Sequence, residues 1–467
     1  MSLPTELIES SCNQSSTYFI SRANLNFPCA NYTLPLSSAQ KEAFDLAISN
    51  SPISLISGNP ASGKTHVGCF VLEMSVRFQK SILVVARHAN TLEAYKNLNV
   101  NSLFLEIFNN YSDSIFAWLR HNLAQPKINF MPLHLFPDPL LETLQESKQL
   151  NQWIDLAEKG DKKNLQEEMM KVFPQVSKSR LDLLVEKLYK LYPLLKQHQK
   201  LKEHYLNLSE EGILQLTELM SETTKIPILA TFQSVLNSDV KFKQFEIVLV
   251  EDSHLFSDHD LLLMASMTNK LILLGENIKS DTFFTRLSEC LSPAYRANLS
   301  ENFRLHPLLS RPIFSTFYYS QPYSSLQNYS YRTFQNRLRW IDIHEDKLIT
   351  PQLLDFIENS DIDISSIKVG ILTFSITAKE MIQSQCPEQW LNQIYVDSCE
   401  NWYGKECNVL LIVCDGTKPT PDQLRLALTR ASDAIVCFGD INQYEMSSFR
   451  TLIRDKTLTI EREVSLL

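Results

Sequence analysis

The stretch that most constrains this chain is Ile53-Ser-Leu-Ile-Ser-Gly58-Asn59-Pro60-Ala61-Ser62-Gly63-Lys64-Thr65. It reads as a buried strand, a tight loop and a helix. The loop fits G-x-x-x-x-G-K-[ST], in which backbone N–H groups surround phosphates, the lysine reaches the outer ones and the hydroxyl binds Mg²⁺. Residues 53–57 are β-prone, and Val67, Val71, Met74 and Phe78 recur behind the loop at helical spacing. The helix N-terminus then points at the phosphates and adds its dipole to the site. Glycine is scarce, 10 in 467 residues, so two at this separation followed by Lys-Thr mark a phosphate site rather than an ordinary turn.

A chain of 467 residues has room for two or three domains. Its 44% apolar and 21% charged residues are those of a soluble globular protein. No apolar run is long enough to cross a bilayer, and no secretory signal is expected at the N-terminus. The nine cysteines show no C-x-x-C pair or metal spacing, which fits reduced thiols in a cytoplasm and excludes a disulfide scaffold. A net charge of −9 argues against indiscriminate nucleic-acid binding but leaves room for a local basic groove.

Residues 1–33 carry polar clusters without periodicity and read as an N-terminal extension. Ser37 or Ser38 then caps a helix with Phe44, Ala47 and Ile48 on its apolar face. Gln40, in its first turn, offers a donor and an acceptor to an adenine edge. A second buried strand over 81–86 runs into Arg87 and His88, placed where α/β sheets bind ligands. From about 105 to 222 the pattern becomes helical. Leu181, Leu184, Leu188, Leu191 and Leu195 form an apolar stripe, and Pro193 is expected to divide that helix. Lys178, Arg180, Lys187, Lys190, Lys196, Lys200 and Lys202 make this the most basic region, either a solvated face or a surface tracking a nucleic-acid backbone. Strands return at 226–232 and at 245–250. The latter ends in Glu251-Asp252, where one carboxylate is placed to hold Mg²⁺ and the next to polarise the attacking water. A third strand from Leu271 ends in Gly275-Glu276-Asn-Ile-Lys279.

In this order the motifs resemble those of the superfamily 1 helicases, in the branch (superfamily 1B) that contains the RNA helicase of nonsense-mediated decay and the helicase–nuclease of Okazaki-fragment processing. Leu36 to Gln40 is similar to the Q motif, 58–65 to motif I, 82–95 to motif Ia and Ala230-Thr231 to the threonine segment before motif II. Leu299-Ser-Glu-Asn302-Phe303-Arg304-Leu305-His306-Pro307 resembles L-x-x-x-[YF]-R-M-H-P. Val396-Asp-Ser398-Cys-Glu400-Asn-Trp402-Tyr403-Gly404-Lys405-Glu406 resembles motif V. Arg425-Leu-Ala-Leu428-Thr429-Arg430-Ala431 resembles N-V-A-L-T-R-A of motif VI.

The resemblance implies two RecA-like P-loop NTPase domains of α/β class with parallel sheets, at about 34–285 and 286–467, the first carrying the helical insertion. It implies ATP and Mg²⁺ as cofactors, bound by Gln40, Gly58, Asn59, Pro60, Ala61, Ser62, Gly63, Lys64, Thr65, His66 and the ribose-contacting Glu406, with the metal on Thr65 and Glu251. Lys64, Glu251, Asp252, Lys279, Arg304 and Arg430 would carry hydrolysis, the two arginines acting from the second domain. Arg87, His88, Thr231, Ser398, Trp402 and Tyr403 would meet single-stranded DNA or RNA. The expected activity is 5′ to 3′ translocation or unwinding by a cytoplasmic monomer. The alternative is a weakly hydrolysing ATP-binding switch that recruits a protein partner. Departures from the family motivate it: Glu251-Asp252 stands for Asp-Glu, Lys279 for glutamine, Glu400 for aspartate and Tyr403 for glutamine, and motif Ia lacks its Ser-Asn pair. The swapped carboxylates displace each acid by about 1 Å, a shift that costs on the order of 100-fold in rate.

Overall fold

The computed structural model describes residues 36–123, 149–192, 226–319, 323–324, 337–359, 366–444, 449–454 and 458–462, short internal breaks aside. The extension expected over 1–33 lies outside these residues. The first sheet comprises β1 (Ile53–Gly58), β2 (Ile82–Ala86), β3 (Leu103–Leu105), β4 (Ile228–Thr231), β5 (Ile247–Val250), β6 (Leu271–Gly275) and β7 (Arg296–Leu299), in the spatial order β3-β4-β2-β5-β6-β1-β7. Every pairing in it is parallel. Parallel strands are covered on both faces, which is why they read as unbroken apolar runs. Ile53 and Leu55 enter one core with Leu83, Val85, Val248 and Leu271, while Ile56 enters the opposite one with Val67, Val84, Leu249 and Leu274. Because β7 pairs with β1, this sheet extends past residue 285, where the sequence sets the domain border.

A short pair, β8 (Glu301–Asn302) and β9 (Tyr323–Ser324), precedes the second sheet. That sheet holds β10 (Leu338–Asp342), β11 (Val369–Thr373), β12 (Ile394–Ser398), β13 (Cys407–Val413), β14 (Ala431–Gly439) and β15 (Thr459–Arg462), ordered β12-β11-β13-β14-β10-β15 and again parallel throughout. Its two faces pack Leu410, Ile412 and Cys437 on one side and Val409, Leu411 and Val436 on the other. The chain is thus two α/β domains with parallel sheets, the arrangement of tandem RecA-like folds.

Between β3 and β4 lie the helices Tyr111–Leu123, Leu150–Glu158 and Lys162–Val172. The leucine stripe is partly accounted for here, since Leu181, Leu184 and Leu188 bury against Trp153, Leu165 and Met169. Leu191, Pro193 and Leu195, with the basic residues from Lys190 to Lys202, lie outside the described residues. Among the described residues no helix is long and apolar enough to cross a membrane.

Trp402 is 1% exposed and lies over Gly370 of β11, its indole donating to the Asp397 carbonyl at 3.3 Å. This corrects the expectation that it meets nucleic acid: the ring is core, packed edge-on against Tyr395 at 5.0 Å. A Cβ at Gly370 would collide with the indole. Gly370→Ala should therefore destabilise the second domain by about 1–3 kcal/mol through overpacking, measured as a lower urea midpoint. An unchanged midpoint would show that the indole is free to move.

Candidate functional site

The phosphate loop begins at the carboxyl end of β1. Ala61 (φ 66°) and Gly63 (φ 82°) take left-handed backbone conformations that curl the chain into the helix Lys64–Arg77. That helix starts without a side-chain cap, so its first N–H groups face the loop. Lys64 is 7% exposed, and its ammonium donates to the carbonyls of Gly58 (2.9 Å) and Asn59 (3.1 Å). It also pairs with Glu276 at 3.4 Å. Gln40 braces the loop from outside. Its Oε1 accepts from Ser37 N (3.0 Å) in a capping box, and its Nε2 donates to the Ser62 carbonyl (3.1 Å). Each end of this buried amide thus makes a hydrogen bond to protein, and these contacts support the loop. His66, half-buried, sets its ring edge against Phe70.

The paired acids follow β5. Glu251 is buried, and Tyr95 donates its phenol to one carboxylate oxygen at 2.5 Å. The Thr65 hydroxyl lies beside this carboxylate and favours its charged form. Burial, aided by the neighbouring Asp252, pushes the Glu251 pKa up to about 7. Asp252 sits at φ 47°, another left-handed position, with the Thr91 hydroxyl 3.5 Å from its Oδ2. Burial and then Glu276 raise its pKa as well.

Sequence reading missed the hub of the site, Glu276 at the end of β6. One oxygen faces Lys64; the other receives Arg425 at 2.5 Å and the Tyr318 phenol at 2.8 Å. Its backbone N–H donates to Nδ1 of His254 at 3.3 Å. Burial alone would raise the Glu276 pKa, but Lys64, His254 and Arg425 together pull it well below the ordinary carboxylate range. Burial pushes His254 down to about 3, so the imidazole is neutral. The signal was present as an acid closing a buried strand, the same pattern that marks Glu251. Asp252, His254 and Glu276 bring possible ligand atoms within 4.8 Å of one another, but Arg425 already neutralises Glu276 and stands 3.2 Å from His254 Nε2.

The segment carrying Arg304 is bolted to the loop, since Phe303 N donates to the Ala61 carbonyl at 2.9 Å. Arg304 pairs with Glu406 and donates to the Thr429 carbonyl at 2.8 Å. Arg430 bonds the Leu426 carbonyl (3.2 Å) and the Thr429 hydroxyl (3.0 Å). Its charge is disfavoured by burial and then by Arg304, while Glu406, Glu276 and Asp252 favour it. Glu406, expected on a ribose, is here the counter-ion of Arg304.

Lys279 is exposed and donates to the Ser315 carbonyl at 2.6 Å, which corrects its expected place at the phosphates. Thr231 is another correction: it is buried and caps the helix Phe232–Asn237 through Ser234 N (3.2 Å). Arg87 pairs with Asp260 at 3.5 Å and lies over Phe232 and Phe256. Ser398, ending β12, is buried, its N–H held by Asp397 at 2.8 Å. His88 and Tyr403 are brought together across the two domains, stacked at 3.8 Å with an interplanar angle of 10°. Beside them Asn90 donates to the Asn401 carbonyl at 3.2 Å.

The residues present fit a magnesium–nucleotide. A hydroxyl and a carboxylate, Thr65 and Glu251, meet beside an ammonium. Ser62 Oγ and Arg304 Nε are buried without hydrogen-bond partners among the described residues. Each costs on the order of 1–3 kcal/mol in that state, and phosphate oxygens would relieve the arginine directly.

No family model and no curated protein matches the sequence. Among solved structures the chain is similar to the helicase of PRRSV, at 11% identity over 88% of this chain and 56% of that one, with a TM-score of 0.36. It is similar also to the Arterivirus nonstructural protein 10 helicase, at 13% identity over 88% and 63%, with a TM-score of 0.34. A complex of Arterivirus nonstructural protein 10 (helicase) with DNA gives 11% identity over 87% and 63%, with a TM-score of 0.37. The chain spans 56–63% of the length of these proteins. Likeness this remote carries no conclusion about activity, which has to come from the site itself.

Because the contacts of Gln40 support the loop, Gln40→Ala should weaken ATP and GTP binding by the same factor, read with fluorescent nucleotide analogues. A loss confined to adenine nucleotides would point to the base-reading role.

Proposed function

We propose that the chain hydrolyses ATP with Mg²⁺ in the cleft between its two domains and couples turnover to 5′ to 3′ movement along single-stranded DNA or RNA. The observation that carries this reading is the sharing of one buried carboxylate, Glu276, by Lys64 of the phosphate loop and Arg425 of the second domain. Phosphate loop and arginine-bearing helix thereby form one site. Phosphoryl transfer needs positioning and charge stabilisation rather than covalent help from protein.

In this reading Lys64 exchanges its carbonyl partners for phosphate oxygens, and Thr65 and Glu251 hold the cation. A magnesium ion held there would supply charge neutralisation to the bound nucleotide. Asp252 orients the attacking water and accepts its proton. Arg304 and Arg430, released from their present partners, stabilise charge from the other side. His88, Tyr403 and Asn90, at the seam between the domains, would feel any opening or closing of the cleft. A nucleic-acid strand lying across that seam would be gripped and released in step, the work of a cytoplasmic protein acting as a monomer.

ATP turnover by the full chain should rise at least tenfold with single-stranded DNA or RNA. Lys64→Ala should lower it by about 100-fold or more, as loss of a transition-state charge contact does. No turnover with either strand would refute the proposal.

A second reading, an ATP-binding switch that hydrolyses slowly and recruits a protein, is favoured by the outward placement of Lys279. The double exchange Glu251→Asp, Asp252→Glu separates the two. Tyr95 holds the longer acid, and an aspartate at 251 would fall short of its phenol. Turnover should therefore drop about tenfold or more. A large rise would instead identify the natural site as attenuated.

A further inference from the structure

We propose that Arg425 is the positioning residue of this reaction, the group through which the first domain sets the place of Arg304 and Arg430. The inference rests on the hydrolytic reading above. Arg425 is 6% exposed in the helix Pro421–Leu428 of the second domain. Its Nη1 donates to Glu276 at 2.5 Å and lies 3.2 Å from Nε2 of His254, both first-domain residues following β6 and β5. Its Nη2 reaches back to Asp422 at 3.2 Å. Arg304 and Arg430, by contrast, form their hydrogen bonds with Glu406, Thr429 and Leu426 of their own domain. Of these three guanidinium groups, the one that joins the two domains is that of Arg425.

The helix transmits this anchorage. Arg430 follows Arg425 by five residues and stands two past the end of that helix, next to its C-cap Thr429. Arg430 Nε is tied to the Leu426 carbonyl, and Arg304 Nη2 to the Thr429 carbonyl. Fixing residue 425 against Glu276 therefore fixes the segment on which both other arginines hang. A buried carboxylate also needs a counter-charge at every stage of a cycle. When Lys64 is engaged with phosphate, Arg425 keeps Glu276 paired and the domains in register. The role suits arginine rather than lysine, because the fork meets Glu276 and Asp422 in different directions while an ammonium is a point charge.

The test uses the full chain with Arg425→Lys and Arg425→Gln, reading kcat and KM for ATP, affinity for a fluorescent ATP analogue, and the radius of gyration by X-ray scattering. Arg425→Lys should keep nucleotide affinity within about threefold while kcat falls by roughly 30-fold or more, the cost of misplaced charge. Arg425→Gln should in addition enlarge the radius of gyration. Retention of kcat within threefold in the lysine variant would overturn the proposal. So would a loss of kcat only in parallel with nucleotide affinity, which a merely structural role produces. If the unaltered chain shows no turnover, the hydrolytic reading fails by itself, and scattering still decides whether Arg425 joins the domains.

Discussion

The site depends on keeping one carboxylate charged out of water. Glu276 is 6% exposed, and an unpaired ion there would cost several kcal/mol. The chain meets the requirement with Lys64 from the phosphate loop, Arg425 from the second domain and the Tyr318 hydroxyl. The same contacts that permit the charge also define where the two domains meet. The lysine's position and the approach of the helix Pro421–Leu428 both follow from one residue at the end of β6, while burial keeps the neighbouring His254 neutral.

A second constraint keeps the paired acids that follow β5 ordered. Glu251 reaches its buried carboxylate into the site on a two-methylene stem. Tyr95 bonds the carboxylate, and Gly68 in the phosphate-loop helix leaves the space its phenol occupies. The placement of Glu251 thus depends on two residues far from it in sequence. Asp252 leaves the strand end from a left-handed backbone position.

Much of this was legible in the sequence. Strands buried on both faces give continuous apolar runs, so β1, β2, β4, β5 and β6 could be located, and the phosphate loop is a local pattern whose spacing alone fixes its geometry. Two short strands of the first sheet escaped, and the strands beyond it were not located one by one. β3 has three residues, and β7 alternates exposed and half-buried positions at the sheet edge, so neither writes an apolar run. The pairing of Glu276 with Arg425 joins positions 149 residues apart and leaves no trace in spacing. Residue type also says little about direction. Lys279 turns to the helix Pro307–Phe317, and Trp402 fills the gap above Gly370, although each stands in a motif that suggested a ligand.

The central claim is that two domains close on one triphosphate. It is tested most directly by a crystal structure of the full chain grown with Mg²⁺, ADP and aluminium fluoride. The account predicts the fluoride anion in contact with Lys64 on one side and with Arg304 or Arg430 on the other. A nucleotide held by the first domain alone, with Arg304 still on Thr429 and Arg430 still on Leu426, would contradict it.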